Sequence, residues 1–83
     1  METRIDEPLA WVEARFERGA ISPRAFRWGR RELRVASVNA RWVDRAARPP
    51  RHGFSVTVET GEVIELEWRE GDPVWTVTMV DSR

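Results

Sequence analysis

The 83-residue chain has no cysteine, no lysine, no tyrosine and a single histidine. Without thiols there are no disulfide staples and no thiolate metal sites, and one imidazole cannot build a metal cluster alone. No glycine-rich phosphate loop of either common spacing is present, so no cofactor is expected. No run approaches the ~20 apolar residues of a membrane span, and Met-Glu-Thr-Arg-Ile-Asp-Glu is no signal peptide. The reading is a cytoplasmic protein with no membrane partner. The chain also lacks internal repeats and room for a second domain, so residues 1–83 are expected to form one.

What is present is aromatic area and an uneven charge distribution. Five tryptophans and three phenylalanines supply the apolar surface that a chain this short needs in place of staples. The formal net charge is zero, yet residues 1–20 carry three arginines against five acids, residues 21–53 nine against two, and residues 54–83 two against seven. A GC-rich genome explains the use of arginine alone most simply, with arginine's forked hydrogen bonding as the alternative. A basic segment is not yet a basic surface, because the blocks can neutralise each other when strands pair.

The stretch over residues 23–38 organises the rest. Gly29-Arg30 is a two-residue loop with glycine first, where a type II′ turn needs positive φ. Setting Trp28 opposite Arg31 makes Phe26 face Leu33 and Arg24 face Val35, while Arg27 meets Glu32 and Ala25 meets Arg34 on the charged face. Before this hairpin, residues 1–7 have no period and read as a frayed tail. Residues 8–18 carry a helix signal in Asp6-Glu7-Pro8 with Leu9, Val12 and Phe16, but the alternation from Val12 to Glu17 favours a strand.

Beyond the hairpin the apolar parity changes between Val35 and Val38, which predicts a β-bulge near Ala36-Ser37. Residues 44–53 contain Pro49-Pro50 and no period, and read as a flexible basic loop. A loop at Thr60-Gly61-Glu62 predicts the pairs Val58–Ile64, Val56–Leu66 and Phe54–Trp68. After it, Trp75 faces Trp68, Val77 faces Leu66 and Met79 faces Ile64. The expected fold is all-β, a small six-stranded antiparallel barrel or strongly curved meander sheet. Its expected core is Phe26, Leu33, Val35, Trp42, Val56, Leu66, Trp68, Trp75 and Val77.

Pro23-x-x-Phe26-x-Trp28 followed by Gly29-Arg30, then Val35, Val38, Trp42, Phe54, Gly61-Glu62-Val63, Glu65-Leu66, Trp75 and Val80-Asp81, resembles a family of small uncharacterised bacterial proteins. The resemblance covers most of the chain and implies no established activity, but some members appear alongside DNA-repair polymerases. The chain departs from that pattern in the loop Arg45-Ala46-Ala47-Arg48-Pro49-Pro50-Arg51-His52 and at the Trp28-Gly29-Arg30 turn.

Catalysis is the weakest class, since His52 is the sole imidazole and sits in a proline-rich stretch, and Glu65 and Glu67 are the wet side of a strand. No catalytic residue is assigned. Binding has more support. Arg24, Arg27, Arg30, Arg31, Arg34, Arg45, Arg48 and Arg51, with Trp28 and Trp11 as exposed aromatics, form the candidate surface. Two functions fit it: a non-enzymatic interaction or accessory module meeting a protein partner or a second copy, or a single-stranded nucleic-acid-binding domain. A contiguous arginine face beside a bare tryptophan favours the second, and arginines tied to glutamates across strands favour the first.

Overall fold

A computed structural model describes residues 1–82. It contains no helix among them, so none is long and apolar enough to cross a membrane. Seven antiparallel strands follow in chain order: β1 (Glu2–Pro8), β2 (Trp11–Glu17), β3 (Ala20–Trp28), β4 (Arg31–Asp44), β5 (Arg51–Val58), β6 (Val63–Arg69) and β7 (Trp75–Asp81). They form one sheet in the order β1-β7-β6-β5-β4-β3-β2. The count is seven rather than six, and strand pairing does not close the sheet into a barrel.

The difference arises at the N-terminus. Residues 1–7, expected to fray, supply β1, which pairs with β7 from Glu2↔Asp81 to Pro8↔Thr76. The chain then crosses from one edge of the sheet to the other. The Leu9 amide donates to the Trp75 carbonyl at 2.8 Å and the Ala10 amide to the Arg27 carbonyl at 3.0 Å, so adjacent residues bond to opposite sides. Leu9 is buried at this step. Residues 11–17 continue as β2, the strand alternative rather than the helix, because Val12 and Ala14 find apolar cover against the core.

The hairpin over residues 23–38 has the predicted register from Trp28↔Arg31 through Phe26↔Leu33 to Ala25↔Arg34. Gly29 has φ 61° and Arg30 does not take a positive φ, which is the type II′ pattern. Pairing stops there, so Arg24 does not face Val35. The predicted bulge lies between Val35 and Ser37, and a second one, not anticipated, lies between Val38 and Ala40. Two bulges reverse the side-chain parity twice. Trp42, expected in the core, is consequently turned outward and is 42% exposed.

In the β5–β6 hairpin the apolar face is as expected, but the register is displaced by two: Val56↔Ile64, Phe54↔Leu66 and His52↔Trp68. The loop is Glu59-Thr60-Gly61, closed by Gly61 N to Val58 O at 2.8 Å and Val58 N to Glu62 O at 3.0 Å. Gly61, at φ 95°, takes the third loop position, where a left-handed residue follows a type I turn. Trp68↔Trp75 and Leu66↔Val77 pair as predicted, and a bulge between Glu65 and Leu66, opposite Thr78 of β7, moves Met79 from Ile64 to Glu65.

Phe26, Leu33, Phe54, Val56, Val58, Ile64, Leu66, Trp75 and Val77 make the buried core with Leu9, while Val35 and Trp68 pack against it half-buried. The stretch expected as a loop over residues 44–53 shortens at both ends, because Asp44 closes β4 and Arg51, His52 and Gly53 open β5.

Candidate functional site

The arginines of the basic hairpin were the first candidate, and most of those on strands meet carboxylates. Arg27 reaches Glu32 at 3.3 Å and donates to the Gly29 carbonyl at 3.1 Å. Arg24 lies 3.7 Å from Glu17, and Arg51 lies 3.7 Å from Glu67. Arg31 grips Glu62 with two guanidinium nitrogens on two carboxylate oxygens, and the Thr60 hydroxyl donates to the same carboxylate at 2.8 Å. Both side chains respond: hydrogen bonding from Arg31, then from Thr60, holds the Glu62 carboxyl below its ordinary range, and Glu62 raises the Arg31 guanidinium.

Among the described residues, Arg30, Arg34, Arg45 and Arg48 have no carboxylate in ion-pair range. They do not share one aromatic platform. Trp28 is half-buried, and its indole donates to Glu7 Oε1 at 3.0 Å. Trp11 is 41% exposed, but the pocket of about 290 Å³ beside it sets Glu13, Glu32 and Glu59 against Arg34 alone. With Glu32 offset by Arg27, Glu13 and Glu59 still outnumber Arg34 there, which disfavours phosphate.

A second site emerges where β3 and β4 diverge. Past Arg34, β4 pairs only with β5, and the first residues of β3 pair only with β2. Between them opens an apolar cleft of about 390 Å³, lined by Phe16 and Ile21 on one side, Trp42 and Val43 on the other, and Phe54 and Trp68 beneath. Phe16 is 80% exposed and Val43 38%. Arg41 spans the opening, donating Nη1 to the Ile21 carbonyl at 3.2 Å and Nη2 to Ser22 Oγ at 2.7 Å, with its guanidinium carbon 6.0 Å from the Phe54 ring centre.

The opposite rim is polar and internally matched. His52 Nε2 lies 2.6 Å from Glu70 Oε2, and the imidazole lies 5.1 Å from Trp68. Trp68 stacks on Trp75 at 5.8 Å, and Trp75 on Phe54 at 5.3 Å, so the floor of the cleft is continuous with the core. Trp42 lies directly on Gly53, where a Cβ would fall 2.0 Å from the indole. The His52–Glu70 pair has no nucleophile within its hydrogen bonds, and no group of three His, Cys, Asp or Glu side chains suits a metal ion among the described residues.

Sequence reasoning missed this cleft because its walls come from segments distant in the chain and because the second bulge hid the outward turn of Trp42. One signal was present: an isolated glycine at residue 53, which in a strand marks close approach of another group. No protein-family model matches the chain, and no curated protein or solved structure is detectably similar to it.

Proposed function

We propose that this chain is a non-enzymatic interaction module, and that its working surface is the cleft between β3 and β4 rather than the arginine face of the hairpin. The observation that carries this reading is the gathering of Phe16, Trp42 and Val43, three of the large exposed apolar side chains, around one opening. Concentrated apolar exposure rimmed by polar groups is the usual mark of a binding surface.

The test is partner capture from the native host with matched variants. Phe16→Ser should abolish capture while leaving stability within about 0.5 kcal/mol, as expected for an exposed position. Arg30→Gln with Arg48→Gln should leave capture intact. The reverse pattern would return the working surface to the arginines.

Single-stranded nucleic acid is the second reading, favoured by Arg30, Arg45 and Arg48, which have no ion pair among the described residues, and by the context of DNA-repair polymerases that the family resemblance implies. If those arginines contact phosphates, affinity for an oligonucleotide should fall with salt, with a log–log slope of roughly −0.7 per contact. A folded chain showing no salt-dependent shift in fluorescence anisotropy at low salt removes this reading.

A further inference from the structure

The cleft differs from an ordinary apolar pocket in that one wall is a strand edge. Between Val35 and Asp44, eight residues of β4 pair with β5 on one side, Ala36 and Asn39 being the bulge residues, and among the described residues this stretch has no ladder partner on the other side. Most of them are exposed. An edge of this kind presents a row of backbone donors and acceptors at strand spacing, and the chemical complement of such a row is another extended backbone. After the second bulge, residues 40–44 run without further irregularity, so a regular ladder can form there.

Charge narrows the occupant. Arg41 bonds only to neutral acceptors, a carbonyl and a hydroxyl, so its positive charge in the cleft has no carboxylate opposite it among the described residues. Arg45 follows directly on the end of the edge and Arg18 lies in the turn beside Ala20, both likewise without ion pairs. The nearby acids are already engaged: Glu70 with His52, Glu17 with Arg24, and Asp44 with the amides of Ala46 and Ala47. The cleft is therefore apolar in its walls, and Arg41 is the lining cation with no carboxylate in ion-pair range among the described residues, while Glu70 is held by His52 on the opposite rim.

We infer, building on the interaction reading above, that the cleft takes an extended peptide segment that adds as a further strand along β4. Alternate apolar side chains of the segment enter between Phe16 and Trp42, and an acidic side chain meets Arg41. Backbone pairing supplies affinity independent of sequence, the apolar positions set spacing, and the carboxylate selects acidic over basic segments.

The experiment is selection of random decapeptides displayed on phage by the full chain, followed by hydrogen exchange with the synthetic winners. The expected winners alternate apolar residues with aspartate or glutamate and exclude proline from the pairing stretch. On binding, outward amides within residues 35–44 should gain protection. Arg41→Gln should weaken acidic winners by about tenfold more than a neutral analogue, the difference expected for one charge-assisted hydrogen bond. Winners that are basic or proline-rich, or protection away from β4, overturn the inference. If such winners still lose binding with Phe16→Ser, the cleft remains the working surface and only the strand-addition inference falls. If no winner responds to Phe16→Ser, both fall. Protection of the β4 edge without any peptide, rising with chain concentration, would make a second copy the occupant and also overturn it.

Discussion

Gly53 leaves room for the Trp42 indole at the cleft. Any Cβ there would fall inside the Trp42 indole, and Trp42 is exposed enough to swing away. Gly53→Ala is therefore expected to cost about 1–3 kcal/mol as overpacking and to displace the indole, seen as a changed tryptophan emission maximum. Glu62 is the other residue with a measurable signature. Its carboxyl is held below the ordinary range by Arg31 and Thr60, so it contributes stability that is present above the unfolded glutamate pKa of about 4.3 and is lost as pH falls through the lower folded value. Glu62→Gln should flatten the acid limb of a stability-versus-pH curve and leave the neutral region's slope unchanged. Half the Arg31 side chain is in water, which limits the size of the effect.

At the scale of elements, the turns decide register more than the strands do. Gly29-Arg30 was legible because a two-residue loop with leading glycine admits one register, whereas the loop around Gly61 admits two, according to whether glycine stands second or third. The β2–β3 turn places Arg18 at φ 52° ahead of Gly19 at φ 79°, both left-handed, which is the type I′ pattern. A long side chain at the first position is strained, and asparagine is the residue that tolerates it best. Arg18→Asn should raise stability by up to about 1 kcal/mol, read as a higher denaturant midpoint with an unchanged slope. The β1 strand escaped notice because its side chains are nearly all exposed, and a strand held mainly by backbone bonds along β7 leaves no apolar period.

For the whole molecule, the core and the N-terminal crossing together determine whether the sheet holds its curvature. Leu66 is fully buried at the centre, and Leu66→Ala should cost about 2–5 kcal/mol, a large share of the roughly 5–15 kcal/mol available to a small domain. Deleting residues 2–8 should bare the β7 edge and lead the chain to associate, visible as a larger species on size exclusion. The sequence by itself determined the all-β class, the central hairpin and most of the core, because alternation at period two and glycine at a left-handed turn are local properties. It could also show that charge was segregated into blocks and that Arg27 meets Glu32, though not that Arg24, Arg31 and Arg51 would find Glu17, Glu62 and Glu67. Only the tertiary structure decided that Trp42 faces out, that the adjacent residues Leu9 and Ala10 bond to β7 and β3 respectively, and that β3 and β4 part to leave a cleft. Each of these follows from bulges and from pairings between residues far apart in the chain, and neither leaves a periodic mark in the residues themselves.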